Sequence, residues 1–390
     1  MRSSVVISKR DCVVKGLLGL LIIVFAYFLY WFTTTTTKVP LINTEGRSFE
    51  RATVVEVVRD NLAEDGNRYG SQQVKVKLAS GPLQGMTVDA TSPDGMLFGA
   101  ACRPGMKVIT ITSVNGTDSV VTVYSRDRQW TVLGFALLFL LLISAVGGKS
   151  GVKSAAGLVF SFIMIFYLLL PMIYRGFSPF GSAILIAFIT TVVTVGLIGG
   201  WTAKTLAAIL GTLGGVVIAG ISAWIFGFCA DINGYNVSEI ENLLFIAQAA
   251  PIKLGQLLFA GILISSLGAV MDIAMSIASA VNEIYEKNPA TPAADLFHSG
   301  MTIGRDTMGT MCSTLILAFT GGSLGLLVLD YSYNLPYLQL INSYNTGIEI
   351  MQGVSGTIGI ILTVPLVSCL AAMIIPQWHS LSLHKKGLPD

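Results

Sequence analysis

Eight stretches of mainly apolar residues run along the chain, at roughly 16–32, 131–148, 154–173, 180–200, 205–228, 254–280, 308–329 and 347–375. Each approaches or exceeds the ~20 residues an α-helix needs to cross a bilayer. Between the first and second, over residues 48–125, the pattern changes to a period of two. ATVVEVV, QQVKVKLA, MTVDAT, KVITITSV and SVVTVYS alternate apolar and polar positions, separated by the turn signals EDGN, SGPLQG, SPDG, RPGM and VNGTD. The pattern predicts an α-helical multi-pass membrane protein of about eight transmembrane helices, with a small all-β domain of five strands and OB-like barrel type. The expected parts are a membrane anchor helix over 1–33, the β-domain over 48–125, a helical bundle over 131–376 and a tail over 377–390.

The first apolar stretch follows Arg2, Lys9, Arg10 and Lys15, as in a signal peptide, but Tyr30, Trp31 and a threonine run stand where a small-residue cleavage site would be. It reads as a retained anchor. The last stretch contains Pro365, which predicts a kink or tilt. With the N-terminus inside, the inner segments carry Arg2, Lys9, Arg10, Lys15, Lys149, Lys153, Lys204, Lys287, Arg305, Lys385 and Lys386, and the short outer loops only Arg175 and Lys253. That bias predicts a plasma-membrane protein with both termini cytoplasmic and residues 48–125 extracytoplasmic. Arg126 and Arg128 fall outside with the β-domain.

Composition agrees: 53% of residues are hydrophobic and 12% charged, with a net charge of +2, which argues against nucleic-acid binding. The cysteines (12, 102, 229, 312 and 369) have no paired spacing and read as small apolar fillers. Phe49, Tyr69, Phe98 and Tyr124 are spread too thinly for a stacking surface, so the β-domain reads as structural or as a docking domain for a protein partner. The sequons at Asn115 and Asn236 read as chance matches.

Catalytic patterns fail on their own terms. Gly148-Lys149-Ser150 resembles the end of a phosphate loop, but Ile143 stands where the first glycine is required. The same residues with Gly151 fit GxSG, but no histidine lies in a membrane stretch to act as base. His298, His379 and His384 lack metal-ligand spacing. No enzyme activity, cofactor or metal is expected.

Small residues recur every four positions at Ala207, Gly211, Gly215, Ala219, Ala223 and Gly227. On a helix they share one face and suit close packing or a sliding contact. Gly321, Gly322, Gly325, Gly353, Gly356 and Gly359 invite the same two readings.

One polar stripe stands out. Ser265, Gly268, Asp272, Ser276, Ser279 and Glu283 recur at steps of three or four in an apolar helix. Arg305 and Asp306 open the next stretch, where Asp306, Thr310, Ser313 or Thr314, and Gly321 share a face. Glu349, Gln352, Gly356 and Thr363 form a weaker face near the outer mouth. A charge inside hydrocarbon costs ~2.5–3.5 kcal/mol, so such residues pair, face a protein interior or touch a path for ions or substrates. Two readings of Asp272 stay open: an ion pair with Arg305 that locks two helices, or a group that binds a cation or relays a proton.

GAVMDIAMSIASAVNEI and NPATPAADLFHSGMTIGRDTMGTMCSTLILAFTGG resemble the signature of the YibE/F-like family of bacterial multi-pass membrane proteins, through MDxAMS and IGRDxMGTM. The resemblance implies a plasma-membrane protein, with Asp272, Ser276, Arg305 and Asp306 as marked positions. It transfers no biochemical activity. A looser architectural likeness is to half of a resistance-nodulation-division exporter. An outer segment such as Asn233-Gly234-Tyr235-Asn236, an intramembrane acid and a short cytoplasmic link follow in the same order there. Spans and outer domain differ, so that likeness implies no more than a lean toward proton-coupled export. The functional expectation is a transporter or permease-like protein acting on an unidentified ion or small molecule. The alternative is a membrane scaffold or sensor whose β-domain binds a partner.

Overall fold

The computed structural model describes residues 9–38, 46–93, 99–115, 118–237 and 240–385. Arg2, Asp94, Phe98, the sequon hydroxyls Thr117 and Ser238, and Lys386 lie outside the described residues, as do the side chains of Lys9, Arg10, Cys12, Lys15, Asn115, His384 and Lys385. Two compact units are present: Met1–Val39 with Ile143–Asp390, and Pro40–Leu142.

The alternating segments form β1 (Arg47–Arg59), β2 (Gln72–Leu78), β3 (Thr87–Ser92), β4 (Lys107–Asn115) and β5 (Asp118–Arg126). They close into a barrel in the order β1-β2-β3-β5-β4. Every pairing is antiparallel except the short parallel contact of β3 with β5. In β2 buried and exposed positions alternate without exception, so Val74, Val76 and Leu78 meet Val54, Val108 and Val123 in the interior while Lys75 and Lys77 stay in water.

Two polar side chains also go inside. Gln72 is 1% exposed. Its Oε1 accepts from the Cys102 backbone N–H at 2.7 Å and its Nε2 donates to Asp60 at 2.7 Å. That amide, with Arg68 beside it, holds the Asp60 carboxyl below the usual carboxylate range. Glu50 is 2% exposed and accepts hydroxyl bonds from Ser48 at 2.6 Å and Thr112 at 3.1 Å. Gly81, at φ +87°, leaves space for that carboxylate.

The helices are α1 (Lys9–Thr34), α2 (Gln129–Met164), α3 (Leu170–Tyr174), α4 (Pro179–Gly199), α5 (Ala203–Cys229), α6 (Ile240–Ala249), α7 (Leu257–Lys287), α8 (Ala293–Gly322), α9 (Leu324–Ser332), α10 (Tyr337–Ile341) and α11 (Tyr344–Lys385). A π-helical turn, Ile165–Leu169, joins α2 to α3. Local chemistry sets several ends. The Ser178 hydroxyl accepts from the Gly181 N–H ahead of Pro179, and Gly200 at φ 70° closes α4. Pro292 precedes α8. Pro365 and Pro376 both lie within α11, which continues through them.

By length and composition five helices can cross a membrane, or up to six if α8 and α9, bent by 61°, make one span. The expected eight differ for two reasons. The predicted spans at 131–148 and 154–173 fall in a single apolar run, Gln129–Tyr174, and the apolar part of α1 among the described residues, Ile23–Thr34, is short. The run is sharply broken all the same. Gly148 takes φ 55°, ψ −134°, and the Ile143 carbonyl lies against Gly151. A continuous helix would hold residues eight apart about 12 Å from each other. Lys149 and Ser150 therefore sit in helix just past a bend that a left-handed glycine allows.

The core of the larger unit is where α4, α5, α7, α8 and α11 meet, around Ala207, Val270, Ile277, Val364 and Ile375. α5 and α11 pack closest. A Cβ on Gly211 or Gly215 would run into Val367 or Thr363, and one on Gly359 would come within 2.7 Å of the Ala219 Cβ. The four-residue repeat along α5 is thus buried at every position from Ala207 to Gly227. It is a packing seam.

α1 is tied into the same unit. The Arg175 guanidinium donates to the Phe32 carbonyl at 2.6 Å and to the Thr36 hydroxyl at 2.8 Å, and lies 3.9 Å over the Phe32 ring. The Asn233–Asn236 segment is a turn pressed on the start of α7, where a Cβ on Gly234 would lie 2.7 Å from the Gly255 carbonyl group.

Candidate functional site

α7 presents two unlike faces. Its buried face, with Leu263, Ser266, Val270, Ile273, Ile277 and Val281, meets the core. The other carries Ser265, Gly268, Asp272, Ser276 and Glu283, all exposed, and the half-buried Ser279. The stripe read from periodicity is real, and it looks outward. On one side of it Ile264 and Met275 face α4, through the cluster with Ile186 and through Gly199. On the buried face, nearly opposite Asp272, Ile277 and Val281 meet α8 at Gly304 and Gly300.

Those two contacts fix the register of the antiparallel pair. Continued by one turn, they set Asp272 level with Gly309 and Thr310, and Ser276 level with Arg305 and Asp306. Arg305 does not face Asp272. It shares a row with Cys312 and Ile316, and those residues touch α11: Cys312 Sγ lies 4.0 Å from the Thr357 carbonyl, and Ile316 packs near Gly353. Asp306, Thr310 and Thr314 lie on another side of α8, and all three are exposed.

The ion pairs among the described residues are Arg68–Asp60, Lys75–Glu56 and Lys287–Glu283. Asp272 and Arg305 form none, because the residues of α7 that meet α8, Ile277 and Val281, lie about 140–180° round the helix from Asp272. Glu283 is drawn instead to Lys287 at 3.3 Å, an exposed pair at the end of α7. The Ser276 hydroxyl donates to the Asp272 backbone carbonyl at 2.8 Å, and the Thr310 hydroxyl to the Thr307 carbonyl at 2.8 Å. Asp272 and Asp306 are both exposed, and neither forms an ion pair with a described residue.

The family model for YibE/F-like proteins matches residues 135–377, more than half of the chain. The chain belongs to the YibE/F-like family. The match covers the helical unit and leaves out α1 and the barrel. No curated protein and no solved structure matches the chain. With its apolar helices, this YibE/F-like chain is a membrane protein.

Glu349 and Gln352 of the YibE/F-like protein lie apart from Asp272, at the opposite end of the unit where α8 breaks into α9. Two adjoining cavities open there, of about 250 and 380 Å³, and Glu349 borders both. Asp330 borders the smaller one. Sequence reasoning missed Asp330 and the cavities. The run Gly321-Gly322-Ser323-Leu324-Gly325 was the available signal for a helix break, and it reads equally well as close packing. Among the described residues no group of three His, Cys, Asp or Glu side chains could hold a metal ion.

Proposed function

We propose that this YibE/F-like protein is a transporter or permease-like protein of the bacterial plasma membrane, coupled to protons or another small cation through Asp272. The observation that carries the reading is the outward polar face of α7. Asp272 sits on it with Ser265, Gly268 and Ser276, all exposed, and forms no ion pair with a described residue. A carboxylate costs ~2.5–3.5 kcal/mol in hydrocarbon, so an acid on an open polar face favours water and a mobile cation there over lipid. The topology that goes with this has eight spans, both termini cytoplasmic and an OB-like barrel outside. The reversal at Gly148 supports dividing Gln129–Tyr174 into two spans. The closed strand order β1-β2-β3-β5-β4 supports the OB-like reading. No catalysis and no nucleic-acid binding are part of the proposal.

The test is proton flux into vesicles containing the purified protein, followed with an enclosed pH-sensitive dye under an imposed gradient. Wild-type protein should acidify the lumen, and Asp272→Asn should lose at least ten-fold in rate while inserting normally. Equal rates for wild type, Asp272→Asn and Asp306→Asn would overturn the proposal. The alternative, a scaffold or sensor, is favoured by one observation on the barrel: Phe49, 59% exposed, and Tyr124 form an edge-to-face pair at 5.3 Å on its outer surface. A partner captured through Phe49 with no flux in any variant would establish that reading.

A further inference from the structure

We propose that the two cavities at the break between α8 and α9 form one binding site for an amphipathic organic cation, with Glu349 as the counter-charge. The break follows from the chain. Glycines at 321, 322 and 325 surround Ser323, whose N–H closes on the Phe319 carbonyl at 3.0 Å before α9 departs at 61°. The end of α8 leaves carbonyls without intrahelical amide partners. At Gly322 and Gly325 an added Cβ would meet nothing within 4 Å, so bare backbone is accessible at the cavity wall.

The two cavities differ in chemistry. The smaller is walled by Ile316, Phe319, Leu327, Ile350 and Val354, with Asp330 and Glu349 at its edge. The larger is bordered by Asn345, Gln352, Ser323 and the glycine backbone, again with Glu349. Ser323, Leu326 and Glu349 belong to both, so a ligand can lay an apolar body in one and a polar end in the other with its charge at the shared carboxylate. Among the described residues no Lys, Arg or His borders either cavity, so neither offers a counter-charge to an anion. Glu349 makes no ion pair with a described residue. The polar cavity offers one carboxylate and neutral oxygens, too few hard ligands for a divalent metal. An apolar wall beside one acid suits an alkyl- or aryl-ammonium ion. Combined, the two volumes fall within the usual range for small-molecule sites of ~300–1,000 Å³.

The experiment uses ethidium as the probe, binding to the full chain in detergent followed by fluorescence anisotropy. Glu349→Gln should weaken binding at least ten-fold, and Leu326→Trp, which fills the partition without touching the charge, should weaken it comparably. Asp272→Asn should leave it unchanged, so the site is separable from the flux assay, which needs a gradient and reads a different residue. Monodisperse Glu349→Gln protein that binds ethidium like the wild type, or wild-type protein that binds none beyond the detergent background, would overturn the proposal.

Discussion

Two seams in the helical unit are written in nearly the same residues and end in opposite states. Along α5, small residues every four positions meet Gly359, Thr363 and Val367 of α11, where an added side chain would be blocked by Val367, Thr363 or Ala219. Along the outer face of α7, Gly261, Ser265 and Gly268 recur at similar steps, yet Cβ atoms built on Gly261 and Gly268 meet nothing within 4 Å. The first seam is closed by a helix. The second is open and carries Asp272. Small residues therefore mean close approach only where a neighbour arrives, and on α7 they line a surface left to water, a cation or a partner.

The largest effect should come from filling the closed seam. Gly215→Leu forces a branched side chain against Thr363 and Val270, where overpacking costs ~1–3 kcal/mol or more. Folded protein recovered from membranes should fall at least five-fold, while Gly268→Leu on the open seam should stay within two-fold of wild type. Equal damage from both, judged by size-exclusion profiles in detergent, would mean that the outer seam is covered in the membrane.

Neutralising the exposed acids of α7 and α8 should do the reverse. Asp272→Asn and Asp306→Asn remove a charge that has no ion-pair partner among the described residues, at nearly constant volume. Their unfolding temperatures should equal or exceed that of wild type. A clear drop in either would reveal a partner that stabilises the acid.

A smaller effect separates the two flanks of α8. Arg305 and Asp272 lie on different sides, so Arg305→Gln should not repair any defect of Asp272→Asn, and the stability changes should add within ~0.5 kcal/mol. Mutual rescue in the double variant would bring Arg305 back toward α7. The smallest effect concerns the barrel. Asp60 and Asp65 are held below their ordinary range, Asp60 first by Gln72 and Asp65 first by the Asn67 backbone N–H. A depressed carboxylate contributes stability that is present above its unfolded pKa of ~3.9 and is lost as pH falls through the lower folded value. Cleavage of the 60–71 loop by an acid-active protease should therefore rise as pH falls below about 4. Asp60→Asn protein should be cleaved readily at pH 7 by a neutral protease, with a flatter pH response.

Much of this was legible from residue order. The strands lie where alternation and turn signals put them, because a period of two assigns each residue of QQVKVKL to one side of a sheet. Turn signals such as SGPLQG mark where the chain reverses. The polar stripe of α7 was legible for a similar reason: helix geometry alone puts Ser265, Asp272 and Ser276 on one face. Glu50 was not legible, since it occupies an apolar phase of β1 and is accommodated only by Ser48, Thr112 and a glycine over it.

The sequence by itself determined membership of the YibE/F-like family, the apolar helices, the barrel strands and the residues that share each helical face. These are properties of single segments, set by side-chain period, composition and turn chemistry. Only the tertiary structure decided what each face meets: α11 against the small residues of α5, open space against Asp272, the α11-facing row of α8 for Arg305, and two cavities round Glu349. One helix's periodicity carries no information about its neighbour, because cover depends on residues far along the chain, as Thr363 is from Gly215.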